Sequence, residues 1–115
     1  MNITLSSHIL DSSNGKSVVG IRCRLSRLDS NDNKTVIFDV EANEEGRIIE
    51  SFEVDSDSTR LELEMFSADY FRRQISVDNN CVEQIVIRFR TVPGKERYHM
   101  PVMLSPHSYS TWWSS

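Results

Sequence analysis

Val19-Gly20-Ile21-Arg22-Cys23-Arg24-Leu25 sets apolar side chains at every second position, with Arg22 and Arg24 between them. Successive side chains of a β-strand point to opposite faces. This period of two therefore predicts a strand with Val19, Ile21, Cys23 and Leu25 toward a core and both arginines outside. The same period recurs at Ile3 and Leu5, at Val36, Phe38 and Val40, at Leu61, Leu63 and Met65, and at Ile85, Ile87 and Phe89. Turn-forming clusters separate these runs: Ser12 to Gly15, Ser30 to Asn33, Asn43 to Gly46, Asp55 to Ser58, Asp78 to Asn80, and Pro93-Gly94. Short strands at close spacing, without long helical periods between them, predict an all-β fold, an antiparallel sandwich or barrel. One helix of about two turns is expected at Ser67 to Gln74, which opens with a serine suited to capping and an early Asp69 and closes on Arg72 and Arg73.

A chain of 115 residues, 38% of them hydrophobic, fits one globular domain and leaves no room for a second. Thirteen Lys and Arg against 17 Asp and Glu give a net charge of −4, which offers no broad attraction to nucleic acid or to an anionic membrane surface. The stretch Met1 to Leu10 has neither the basic start nor the apolar run of a secretion signal, and nothing approaches the roughly 20 apolar residues that span a bilayer. A soluble protein kept inside the cell is expected. Cys23 and Cys81 are too few for a disulfide scaffold and are expected as thiols.

The chain has three histidines. In Leu5-Ser6-Ser7-His8-Ile9-Leu10-Asp11, alternation puts His8 on the face opposite Leu5 and Ile9, outside the core. His99 ends a strand-like run just before Pro101, which suggests an edge strand or a bulge. His107 sits in a Ser-Pro-His-Ser turn. Arg47 follows Gly46 in a loop, where Glu44 and Glu45 could hold it in an exposed ion pair. Each of these residues, taken alone, reads as a solvated side chain. The Gly-x-Ser-x-Gly elbow, a phosphate-cradling glycine loop, Cys-x-x-Cys and His-Glu-x-x-His are all absent. A three-histidine zinc site is formally open but is not favoured, since His107 has no visible supporting partner.

Arg88 to Ser115, RFRTVPGKERYHMPVMLSPHSYSTWWSS, contains His-x-Pro followed by an apolar pair, then Leu-Ser-Pro and Tyr-Ser-Thr. With the opening Leu5 to Asp11, then Gly15 and Val19-Gly20-Ile21, and with Gly46-Arg47 and Tyr70-Phe71 between, it resembles the transthyretin-like family, most closely its 5-hydroxyisourate hydrolase branch. The resemblance implies a prealbumin-like sandwich of two four-stranded antiparallel sheets with one short α-helix. It also implies a homotetramer built as a dimer of dimers, with active sites lined by one sheet from each of two subunits. The small-molecule substrate would be 5-hydroxyisourate, opened without cofactor or metal.

By the same resemblance His8, Arg47 and His99 are the catalytic residues. One imidazole, assigned to His8, would activate water, and Arg47 would hold the carbonyl or ring oxygens. His99 would fix a tautomer or relay the proton. The branch ends in Tyr-Arg-Gly-Ser, whereas this chain ends in Trp112-Trp113-Ser114-Ser115. Trp112, Trp113 and Ser115 are therefore the expected substrate contacts of the tail, with packing at a subunit interface an equal reading of the two indoles. An indole stands where a planar cation is usual, which puts activity in question. A cytoplasmic or peroxisomal location is expected: eukaryotic family members are often peroxisomal, although Trp113-Ser114-Ser115 is not a Ser-Lys-Leu-type address. The rival expectation is a non-catalytic, hormone-type binding protein of the same fold, against which the pair His8 and His99 argues.

Overall fold

A computed structural model describes residues 1–56, 58–74 and 81–114, so Ser115 and the expected turn at Asp78 to Asn80 lie outside the described residues. In chain order the elements are β1 (Asn2–Asp11), β2 (Lys16–Ser17), β3 (Arg22–Leu28), β4 (Lys34–Glu41), β5 (Arg47–Glu53), β6 (Arg60–Met65), α1 (Ser67–Gln74), β7 (Ile85–Arg90), β8 (Arg97–His99), β9 (Val102–Ser105) and β10 (Ser108–Thr111). They form a four-stranded sheet, β4-β3-β6-β7, packed on a six-stranded one organised around β1.

The six-stranded sheet is nonetheless four strands across. β5 and β2 pair with successive parts of one edge of β1, while β8 and β9 pair with successive parts of the other, and β10 follows β9. β8 and β9 are separated at Pro101, which has no N–H to donate to a ladder. The expectation of antiparallel pairing throughout needs correction, because β8 and β9 both run parallel to β1. The chain reaches them from β7 in the opposite sheet through residues 91–96. Such a crossing can enter beside β1 in either direction.

Alternation along β1 sends Ile3, Leu5, Ser7, Ile9 and Asp11 inward and leaves Thr4, Ser6 and His8 on the outer face. Facing them across the core are Cys23, Leu25, Leu61, Leu63 and Met65, all fully buried. Two details of the expected pattern fail. Val19 is exposed and Val18 is buried in its place, because the chain turns at Gly20 before β3 begins. Val36 is exposed too. A β-bulge on β4, where Leu25 and Ser26 face Phe38 and Val36, inserts Ile37 and turns Val36 away, so the core contacts come from Ile37, Phe38 and Val40.

The helix runs from Ser67 to Gln74, but Phe66 rather than Ser67 precedes it, since the Phe66 carbonyl accepts from the Tyr70 N–H at 3.4 Å. Its buried side chains Ala68, Tyr70 and Phe71 face the core. The Tyr70 hydroxyl donates to Asp11 Oδ2 at 3.0 Å, and Asp11 Oδ1 accepts the Ser13 N–H at 2.9 Å. Burial and this carboxylate push the Tyr70 phenol up to about 12. Cys23 is buried and Cys81 exposed.

The outer face of the four-stranded sheet is covered by paired charges. Arg24 makes a two-pronged contact with Glu64 at 3.1 Å, and Glu62 lies between Lys34 and Arg88. Burial opposes ionisation of Glu62, but these two cations outweigh it and hold the carboxyl below its usual range. Arg22 pairs with Asp39 at the sheet edge.

Candidate active site

The outer face of the six-stranded sheet is built differently, with hydroxyls, imidazoles and two exposed arginines, Arg47 on β5 and Arg97 on β8, Arg47 having only a loose partner. His8 stands half-buried on β1, two residues beyond Ser6 on the same face. Directly opposite His8 in the β1–β5 ladder is Arg47. The 43–46 turn sets that register. Asn43 Oδ1 accepts the N–H groups of Glu45 at 2.9 Å and Arg47 at 3.0 Å, and Gly46 N–H returns to the Asn43 carbonyl at 2.9 Å. Gly46 adopts φ of 72°, and a Cβ there would lie 2.6 Å from the Ile9 carbonyl oxygen. Only glycine fits this turn.

Arg47 begins β5 and its side chain is 48% exposed, with Nε 3.7 Å from Glu45 Oε2. That exposed contact is too long to neutralise the guanidinium. On the other edge of β1, His99 ends β8 opposite Ser6, and Ser6 Oγ lies 2.8 Å from His99 Nδ1. The register is locked by Met100 N–H donating to the Ser6 carbonyl at 2.9 Å and by Tyr98, whose hydroxyl receives the Val92 N–H at 2.8 Å on the core side. β8 pairs with β1 alone, as an edge strand ahead of a proline should.

The three polar side chains thus occupy three adjacent strands on one face. The Cα atoms of His99 and His8 are diagonal neighbours, about 8 Å apart by a strand spacing of about 4.8 Å and a rise of about 3.3 Å per residue. Side chains of this length reach across such a diagonal, so both imidazoles can address one small ligand. His107 lies apart, exposed on the turn between β9 and β10. Among the described residues no three His, Cys, Asp or Glu side chains are grouped so as to hold a metal ion.

The C-terminal segment adds a second feature. Trp113, 66% exposed, borders an apolar cavity of about 440 Å³ together with Phe89, Tyr98, His99 and Met100, between β7 and β8. The Lys95 ammonium donates to the Ser114 carbonyl and lies 5.0 Å from the Tyr98 ring centroid. Trp112 is half-exposed and does not border this cavity. Sequence reasoning had not singled out Ser6 or Lys95. Ser6 could have been found, since it shares the period of two with His8. The contact of Lys95 depends on the path of the tail and has no local signal.

The family model described as HIUase/Transthyretin family matches residues 5–113. The chain belongs to this family. The match includes His8, Arg47, His99, Trp112 and Trp113. The 5-hydroxyisourate hydrolase of Deinococcus radiodurans is 30% identical over 113 residues, covering 94% of this chain and 92% of that protein. The protein of the same description from Halalkalibacterium halodurans is 28% identical, covering 97% and 98%. Among solved structures, the 5-hydroxyisourate hydrolase of Klebsiella pneumoniae superposes with a TM-score of 0.77 at 27% identity, over 98% of this chain and 99% of that one. An (S)-allantoin synthase gives a TM-score of 0.82 at 25% identity over 99% of this chain, which spans only 44% of that longer one. The transthyretin-like sandwich is therefore the fold of this chain. No helix among the described residues is long and apolar enough to cross a membrane.

Proposed function

We propose that this protein is a 5-hydroxyisourate hydrolase, adding water to a ring amide and releasing 2-oxo-4-hydroxy-4-carboxy-5-ureidoimidazoline, a step of urate degradation. The observation that carries the reading is the shared outer face of His8, Arg47 and His99, on three neighbouring strands. The relatives named above, about 30% identical over nearly their whole length, support it. They are bacterial and lend no support to a peroxisomal location.

The chemistry needs three things: a base for water, positive charge for the oxyanion that forms, and a proton for the departing ring nitrogen. His8 takes a proton as the water oxygen bonds to the carbonyl carbon. Arg47, opposite His8, holds the oxygen that becomes negative. As the carbon–nitrogen bond breaks, His99 gives the nitrogen its proton, and the carbonyl carbon leaves as a carboxylate. Two six-stranded sheets from facing subunits would enclose the site, in a tetramer built as a dimer of dimers. Ile49, 68% exposed on this face, supports such a contact.

In the tail, Trp113 replaces the arginine usual in the hydrolase branch. We assign Trp112 and Trp113 to contacts with substrate, together with Ser115. An ultraviolet assay of freshly generated 5-hydroxyisourate, with and without the protein, tests the reading. Wild-type protein is expected to accelerate ring opening. The double replacement Trp113→Arg with Ser114→Gly is expected to raise kcat/KM by about tenfold, on the scale of one regained charge-assisted hydrogen bond. No acceleration by either protein, with small-ligand binding retained, would transfer the assignment to a non-catalytic carrier.

A further inference from the structure

We infer that Ser6 is a positioning residue for His99, holding its imidazole as the Nδ1–H tautomer and leaving Nε2 as the nitrogen that exchanges protons with substrate. The inference rests on the proposed role of His99 as proton carrier, and it names the group that controls which nitrogen does the work.

Ser6 Oγ lies 2.8 Å from His99 Nδ1, in hydrogen-bond range, so one atom of this pair must donate. The hydroxyl reached this nitrogen through the fold, not through rotamer chance. Ser6 and His99 are direct partners in the parallel β1–β8 ladder, and the Met100 N–H clamps the Ser6 carbonyl at 2.9 Å. Ile49 stands opposite Ser6 on β5, and the Thr4 hydroxyl, two residues back on β1, is engaged with Ser51 Oγ at 2.9 Å.

The direction of the bond follows from the proton cycle. Whether His99 gives or takes a proton at Nε2, it passes between the imidazolium, which carries hydrogen on both nitrogens, and a neutral ring that keeps hydrogen on Nδ1. A hydroxyl oxygen can accept from Nδ1–H in both states without moving. Were Ser6 instead the donor, the neutral ring would be the Nε2–H form. Its Nε2 could not then take a proton, and the bond would have to reverse at every turnover. Acceptance by Ser6 is the arrangement that serves both halves of the cycle.

The experiment compares wild type, Ser6→Ala and Ser6→Thr, first by ¹⁵N-resolved NMR of the histidine side chains without substrate. His99→Asn serves to assign the resonances. Wild type is expected to show neutral His99 mainly as the Nδ1–H tautomer. Ser6→Ala should shift the ring toward Nε2–H and lower kcat about tenfold while KM changes less than about twofold, a modest share of the usual contribution of positioned acid–base catalysis. Ser6→Thr, which keeps a hydroxyl, should restore both. An Nε2–H wild-type ring, or unchanged tautomer populations in Ser6→Ala, overturns the inference. So does a failure of Ser6→Thr to recover the tautomer while its fold is intact by circular dichroism. The NMR readout needs no turnover. A tautomer shift in a protein that does not open 5-hydroxyisourate would therefore sink the hydrolase reading and uphold the assignment of Ser6.

Discussion

His8, Arg47 and His99 stand outside the sandwich core, so chemistry and stability should separate cleanly at these positions. Replacing either histidine by Asn, or Arg47 by Lys, is expected to lower turnover of 5-hydroxyisourate on the order of a hundredfold, the scale of a lost acid, base or oxyanion donor. Each should move the unfolding free energy by only about 0.5 kcal/mol, which urea titration of the same samples checks. Two buried groups behave in the opposite way. Burial pushes the Cys23 thiol up to about 12 from 9.0, and Tyr70 is raised to about 12 from 10.0. Each keeps its proton to a higher pH when folded, so above roughly pH 9 the unfolded chain binds fewer protons and stability falls as pH rises. The urea midpoint should therefore decline from pH 8 to 10.5, and Cys23→Ala should flatten that decline whatever constant loss its smaller side chain brings. The outward placement of His8 was legible because a period of two admits one answer. The outward placement of Ser6 was open to the same reading, but its pairing with His99 was not, since the two lie 93 positions apart.

Elements place the site through their ends. The turn that delivers Arg47 depends on Gly46, whose positive φ and 2.6 Å approach to the Ile9 carbonyl leave no space for a methyl group. Gly46→Ala is expected to destabilise the fold on the order of 3 kcal/mol, from backbone strain and overpacking together. It should also reduce turnover beyond what the lost folded fraction explains, because Arg47 is the next residue. Thermal unfolding and kcat measured well below the melting temperature separate the two effects. Strand existence was readable from alternation wherever one face is buried, as in β1, β3 and β6. Alternation failed at β4, where the bulge at Ile37 exposes Val36. It failed again before β3, where Val18 rather than Val19 is inside. Both are departures from regular pleating, and a period of two cannot foresee an inserted residue. The helix was correctly bounded because its apolar and basic positions agree, although its cap lies one residue earlier than the serine suggested.

At the level of the molecule, the two outer faces have different fates. On the four-stranded sheet, carboxylates and cations satisfy one another within the chain, as Glu62 does between Lys34 and Arg88. The six-stranded sheet leaves Arg47 nearly unpaired and Ile49 exposed. Assembly through the latter face is accordingly expected. Sedimentation at micromolar concentration should find a tetramer, and Ile49→Glu should shift it toward dimers with loss of turnover; a wild-type monomer would remove the proposed shared site. The sandwich class was legible from turn spacing, and its family from the two ends of the chain. The parallel pairing of β8 and β9 with β1 was not, because strand direction in a sheet is set by how the chain crosses between layers and leaves no local trace. That pairing has a consequence for biosynthesis. β1 bonds along one edge with strands synthesised long after it, Ser12 meeting Leu104 and Ser6 meeting His99. Contacts so distant in sequence close slowly, typically in milliseconds to seconds. During synthesis β1 must wait with that edge open until residues beyond 104 have emerged, and Ser6 and His8 meet His99 only after β2 to β7 have been made.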